Sequence, residues 1–350
     1  MTLVTLFLGV ALGFGVHPAF ANSCSGTQFC GALYYTQIGC CVDKAAFVYD
    51  TSTHTVTFTP TSLTSSLPGA DGIIFDPVTH DLMIGVNCGG NQQITEVDPS
   101  SGAVTGTIST TGVSPSHLMA DVAGNAWYSA DGCGTFNQGA VAFGTSAGTT
   151  KTFTGDDTYV NTLIWNLNSP NENLAYYTSS GCCGGNGHFG TLDVATGTTT
   201  CVKSGGSCMV LAGAHGGFFD PYTGDVMIVG GGHITQIDPN TLAVVSDLFV
   251  PGVTFDQGSA DGSGHLFVAN NGGSIYFLDY SASGHVNSAL NFADNIGGVG
   301  EADDVAPLVG QGSTTTGVPE FPVGQVLLVA IAIPMMLILR QRVAKLPVPA

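Results

Sequence analysis

The chain has 350 residues, 50 of them glycine, with 25 acidic residues against six lysines and arginines and a formal charge of −19. Scarce helix formers, and short runs of Val, Ile, Phe and Tyr between Gly, Ser and Thr, favour an all-β chain of one large or two ordinary domains. A surface so poor in cations repels phosphate backbones and argues against nucleic acid as a partner.

Residues 3–14, LVTLFLGVALGF, are apolar but too short to span a bilayer, and the small-x-small site Ala19-Phe20-Ala21 comes next. No basic residue precedes the run, yet residues 1–21 read as a signal peptide, so the bulk of the chain after residue 21 is expected outside the cytoplasm.

From 22 to 311 one pattern returns. Residues 32–41 read ALYYTQIGCC and 174–183 read LAYYTSSGCC, in one register 142 positions apart. Both belong to a series of apolar strands: ALYYT at 32, DLMIG at 81, AWYSA at 126, LAYYT at 174, DVMIV at 225 and HLFVA at 265. After each comes a turn and a second strand, AFVYD, ITEVD, GAVAF, GTLDV, ITQID and IYFLD. Six units of roughly 41–51 residues, each with four short strands, have the period of propeller blades.

The first unit lacks a leading strand, and 297–310, GGVGEADDVAPLVG, has no partners of its own. The ring is therefore expected to close by pairing both chain ends in the first blade, which removes exposed strand edges. On that reckoning the two YYT hairpins, three units apart, fall on opposite blades.

Residues 312–320 form a polar stalk that leads into Pro319-Glu320-Phe321. Phe321 to Leu339 is apolar over 19 residues, roughly 28 Å as a helix against a hydrocarbon core of about 30 Å. Gln325 and Pro334 are tolerable in such a transmembrane helix. The basic tail 340–350, with Arg340, Arg342 and Lys345, is expected to stay cytoplasmic.

Pro319-Glu320-Phe321-Pro322, an apolar helix and an arginine cluster together resemble the PEF-type C-terminal sorting signals of archaeal surface proteins. That resemblance implies attachment to the envelope, with the tail trimmed or kept; Pro322 departs from variants that carry glycine there. The repeats, best seen in ADGSGHLFVANNGGSIYFLD, resemble the six-bladed propeller group of NHL-repeat proteins, gluconolactonase-like lactonases and streptogramin B lyases. The likeness is one of fold and carries no catalytic motif.

Counting back from each inner-hairpin turn brings Asp71, His117, Asn161, His215, Asp256 or Gln257, and Glu301 to the mouth of the central channel, each from a different blade. Carboxylate, amide and imidazole groups converging there suit a hard or borderline cation. The metal set would be Asp71, Asn161, Asp256 and Glu301, around one divalent ion, calcium or similar. The lactonase resemblance implies a metal that polarises a carbonyl, and the lyase resemblance a histidine as general base, His117 or His215. Against this stands the plain alternative of polar groups solvating a water-filled mouth. His188, His233 and His265 sit beside glycine and read as turn tips. DPVTHD (76–81) and DPYTGD (220–225) read as ordinary turns, with calcium between their aspartates as the alternative.

Ten cysteines stand at Cys24, Cys30, Cys40, Cys41, Cys88, Cys133, Cys182, Cys183, Cys201 and Cys208. Secretion makes five disulfides the expectation. Cys24–Cys30 and Cys201–Cys208 suit local clasps. Cys88 with the 40/41 pair and Cys133 with the 182/183 pair would join neighbouring blades, leaving the connectivity open. A soft-metal site of reduced thiols is the alternative. Two functions stay open: a surface-anchored module binding envelope proteins or glycans, or an extracellular metal-dependent hydrolase or lyase.

Overall fold

A computed structural model describes residues 26–306, apart from 38, 65, 77–78, 80, 87–92, 111–114, 121–125, 131–136, 144–148, 158–159, 167–168, 170, 172, 180–185, 288–292 and 298–301. Residues 1–21, read as a signal peptide, Cys24, Cys88, Cys133, Cys182, Cys183, Glu301, the 312–320 segment read as a stalk and the 321–339 segment lie outside the described residues. Among the described residues no helix is long and apolar enough to cross a membrane.

The described strands form six sheets of four or more strands, plus one two-stranded hairpin. Blade 1 runs Ala302–Val305, Gln28–Gln37, Cys41–Asp50, Thr55–Ser62, so a strand from the end of the described chain supplies the innermost position. The other innermost strands are Ala70–Phe75, Leu118–Ala120, Thr162–Trp165, Gly216–Phe219 and Phe255–Ala260, in blades 2 to 6. Each of the six neighbours the next around the ring, and blade 6 meets the closing strand of blade 1. This is a propeller with the closure expected from the unpaired 297–310 segment.

Its core lies between blades. Alternate residues of a strand face opposite sides of a sheet, and here both sides are covered, so strands read as apolar runs rather than as clean alternation. In blade 1, Leu33 and Tyr35 pack with Phe267 and Phe277 of blade 6, while Tyr34 and Val42 pack with Ile73 and Phe75 of blade 2. Four further clusters fill the other interfaces, among them Trp127 with Trp165 between blades 3 and 4.

The YYT repeat now has a physical reason. Tyr34 donates to the carbonyl of Pro99 in blade 2 at 3.1 Å, and its counterpart Tyr176 donates to that of Pro239 in blade 5 at 2.9 Å. Each tyrosine ties its blade to the Asp-Pro turn of the next. The threonines that end the motif reach the channel instead: Thr36 accepts from the amide of Asp304 at 3.1 Å, and Thr178 donates to the carbonyl of His215.

Two disulfides are described in full. Cys201–Cys208 is the expected local clasp. Cys40 and Cys41 are joined to each other, not to Cys88, because the two adjacent sulfurs meet at the start of one strand. Cys30 is also disulfide-bonded.

Candidate functional site

Three of the six innermost strands do not enter the channel as regular ladders. In blade 2 the register with the next strand shifts between Ala70 and Ile73, around Asp71. In blade 6 it shifts between Phe255 and Gly258, around Asp256. In blade 1 the closing strand holds an extra residue between Ala302 and Val305, where Asp303 and Asp304 stand. A bulge of this kind re-aims a side chain out of its pleat, and all three of these irregularities carry carboxylates.

The result is one polar group per blade around the mouth: Asp304, Asp71, His117, Asn161, His215 and Asp256 in blades 1 to 6. His117, Asn161, His215, Asp256, Asp303 and Asp304 are all buried. His215 Nε2 lies 2.7 Å from Asp256 Oδ1, and His117 Nε2 lies 3.9 Å from the same oxygen. On its other side, His117 Nδ1 lies 3.4 Å from Asp304 Oδ2. The two imidazoles meet edge to face at 4.8 Å. Asn161 Nδ2 is 2.8 Å from His215 Nδ1 and also donates to the His215 carbonyl. Asn271 donates to Asp256 Oδ2 at 2.9 Å.

Two overlapping sets of donors result. His117, His215 and Asp256 offer atoms within 4.8 Å of one another, and so do Asp71, His117 and Asp304. The sequence-derived set is thus brought together, with three adjustments. Asp256 faces the channel while Gln257 turns away, accepting from the Gly217 amide at 2.7 Å to bridge blades 5 and 6. Glu301 lies outside the described residues, and Asp303 and Asp304 fill the blade 1 position. The acid-rich run 301–304 was the only signal for them. Asn271, which orients Asp256, had no signal at all.

Burial here sets carboxyl groups against one another. Asp303 is pushed up to about 10 by burial, then by the charges of Asp71, Asp256 and Asp304. Asp304 is also raised by burial, although His117 opposes the rise. Burial opposes charge on His117, but Asp304, Asp256 and Asp71 outweigh it and hold the imidazole well above its ordinary value. For Asp256, burial is outweighed by His215 and His117 together, so its carboxyl lies below the usual range. Four carboxyls, Asp71 half-buried and the other three buried, face two imidazoles, so acids outnumber bases and part of them is held protonated, ready to ionise against a cation.

Some of these atoms also lack hydrogen bonds. Asp304 Oδ1 makes no hydrogen bond, while Asp256 Oδ1 and His117 Nδ1 have only their charge partners, His215 Nε2 at 2.7 Å and Asp304 Oδ2 at 3.4 Å. Buried polar atoms left this way cost about 1–3 kcal/mol each. Oxygen and imidazole donors, more carboxyls than imidazoles and a buried carboxylate oxygen short of a hydrogen bond fit a divalent cation.

The other histidines and the aspartate turns behave differently. His265 is buried, not at an exposed tip; it packs at the blade 6–blade 1 seam against Tyr49, 2.6 Å from Asp261. His233 lies beside Asp247 and Phe249. In DPYTGD, the Asp220 carboxylate is taken up by the Tyr222 and Thr223 amides and the Thr223 hydroxyl, as in an ordinary turn.

No protein-family model and no curated protein matches the sequence. Similar solved structures include a streptogramin B lyase, at 11% identity over 65% of this chain and 69% of that chain, with a TM-score of 0.46. They also include virginiamycin B lyase from Staphylococcus aureus, at 11% identity over 77% and 88%, TM-score 0.47. A third is hydrazine synthase of Kuenenia stuttgartiensis, at 13% identity over 69% and 73%, TM-score 0.41. Likeness at this level concerns the fold and assigns no chemistry to the site.

Proposed function

We propose that residues 22–311 are a propeller displayed on the outer surface of the cell, held there by the 321–339 segment, and that its channel mouth binds one divalent cation. In this reading the cation side of the ring is the face that engages an envelope glycan or protein. The carrying observation is the cluster of Asp71, Asp256, Asp303 and Asp304 around His117 and His215, buried but for the half-buried Asp71, whose carboxyls outnumber the imidazoles and can ionise around a divalent ion. A bound ion with an open position can accept the hydroxyl groups of a glycan, which gives an uncharged ligand an anchor. Elemental analysis of the purified protein tests this: about one tightly held divalent ion per chain is expected, removable by chelator with a fall in melting temperature. A metal-free protein whose melting ignores chelator would overturn it.

A second reading, an extracellular metal-dependent hydrolase or lyase, is favoured by the His215–Asp256 pair. The Asn161 amide at His215 Nδ1 leaves Nε2, beside Asp256, as the nitrogen that would exchange a proton with a substrate, and a cation polarises a carbonyl when bound. Turnover of a panel of lactones and cyclic esters that is lost in His215→Gln and with chelator would support it; no turnover of any member would count against it.

A further inference from the structure

Away from the channel, blade 4 gathers a second set of donor groups. Cys201 ends the strand Thr198–Cys201 and is joined to Cys208, on the small hairpin Lys203–Ser204 with Ser207–Cys208. Asp156 and Asp157 come just after Thr154–Gly155, which pairs in parallel with the Cys201 strand. His188 lies on the neighbouring strand Gly187–Asp193. Asp156, Cys201 and Cys208 offer donor atoms within 4.8 Å of one another, and Asp157, His188 and Cys208 do the same, so Cys208 is common to both.

Several features suit this cluster to a soft or borderline metal. His188 Nδ1 donates to Asp157 Oδ1 at 2.8 Å, and the Tyr177 hydroxyl donates to the other Asp157 oxygen. That fixes the ring and leaves Nε2 with the lone pair, the tautomer zinc-binding histidines hold through a carboxylate partner. Lys203 Nζ stands 2.8 Å from Asp156 Oδ1 and 4.0 Å from Cys208 Sγ, where it would offset the charge of a Cys208 thiolate once the disulfide is reduced. The hairpin that carries Cys208 pairs only with itself and turns through Gly205 and Gly206, both at positive φ with open space around them. Beyond Cys208 the chain returns to the blade, where Val210 pairs with His188, so the hairpin holds Cys208 close to the imidazole when the disulfide opens.

We propose that Cys201, Cys208, His188 and one carboxylate of the Asp156–Asp157 pair form a zinc site that the Cys201–Cys208 disulfide closes and a dithiol reductant opens. The reductant's two thiols become a disulfide; two electrons and two protons pass to the protein, breaking the S–S bond and leaving two thiols. Zinc then displaces those two protons as the thiolates bind it. Two thiolates, an imidazole and a carboxylate make a four-donor set that zinc accepts.

The test compares zinc content after anaerobic reduction of the full chain, loading with zinc and removal of excess. Wild type is set against Cys201→Ser/Cys208→Ser, His188→Ala and Asp156→Asn/Asp157→Asn. Zinc held at the channel mouth or by other cysteines is common to all four, so only the difference counts. Reduced wild type is expected to hold one more zinc per chain than the double serine variant and His188→Ala, and oxidised wild type no more. Cobalt in place of zinc is expected to give a near-ultraviolet thiolate band that the serine variant lacks. Equal zinc in reduced wild type and the serine variant, or undiminished zinc in His188→Ala, overturns the site. His188 has a side chain 32% exposed, so its replacement tests the proposal even if the serine variant does not fold.

Discussion

The hydroxyl of Tyr49 in blade 1 donates to Asp279 in blade 6, across the seam where the ring closes. Tyr49 is fully buried, its hydroxyl is also 3.0 Å from His54 Nδ1, and its ring meets that of His265 edge to face. Tyr49→Phe removes the donor that spans the seam and is expected to cost about 1–3 kcal/mol, a fall of several degrees in melting temperature. Tyr222→Phe, which loses an exposed bond to the Ser281 carbonyl, is expected to cost under about 0.5 kcal/mol. Thermal unfolding of the two variants side by side checks the contrast, and equal small shifts would deny the seam its role.

A second expectation concerns the approach of blades 2 and 3. Gly72 donates to the Ser116 carbonyl at 2.9 Å, and a Cβ there would lie 2.0 Å from that oxygen and 3.0 Å from the Cα of His117. Since the obstacle is backbone, Gly72→Ala has to push the two innermost strands apart. It is expected to cost about 1–3 kcal/mol and to weaken cation binding by displacing His117. Gly252→Ala, in open space but at a φ of 81°, supplies the comparison: strain without displacement of the site. Chemical unfolding together with metal titration separates the two effects.

The blade period, the closing segment and most of the channel-mouth set were legible because they rest on local pattern. Apolar runs, Asp-Pro turns and one unpaired segment are visible without coordinates. The exact blade 1 acid was not, since a bulge between Ala302 and Val305 shifts the register there and a bulge leaves no reliable mark in a single sequence. A separate shift between Phe255 and Gly258 left Asp256 and Gln257 as alternatives. The Cys40–Cys41 bond escapes any reading that pairs cysteines between blades. His265 escapes one that takes a neighbouring glycine for the sign of a turn tip.

Acid stability is expected to follow the repeated aspartate turns. The hydroxyl and amide of Ser52 hold Asp50 at about 2, the hydroxyl and amide of Ser100 lower Asp98, and the Asn240 amide with the Thr241 hydroxyl lowers Asp238. Their folded values lie below the unfolded one, so their contribution is present above about pH 4 and is lost as pH falls through the folded values. Replacing all three by Asn keeps a turn acceptor but removes the titration. Urea unfolding midpoints between pH 4 and pH 2 are expected to fall less steeply in the triple variant, and an unchanged slope would place the acid sensitivity elsewhere.

Asp303 distinguishes the metal-free ring from the occupied one. With burial and three carboxyl neighbours holding it protonated at neutral pH, Asp303→Asn is close to isosteric and is expected to change melting in chelator by less than about 0.5 kcal/mol. With a cation present the wild-type carboxyl can ionise and the amide cannot. Affinity is expected to fall about tenfold, equivalent to 1.4 kcal/mol. A variant that binds the ion as tightly as wild type would remove Asp303 from the charge balance.

Calorimetric titration of chelator-stripped protein with calcium, and then manganese, beside Asp256→Asn tests the channel mouth most directly. One ion per chain is expected for wild type, with affinity lowered more than about tenfold in the variant. No binding of either ion, or superimposable titrations for the two proteins, would contradict a cation held by Asp256 between His117 and His215.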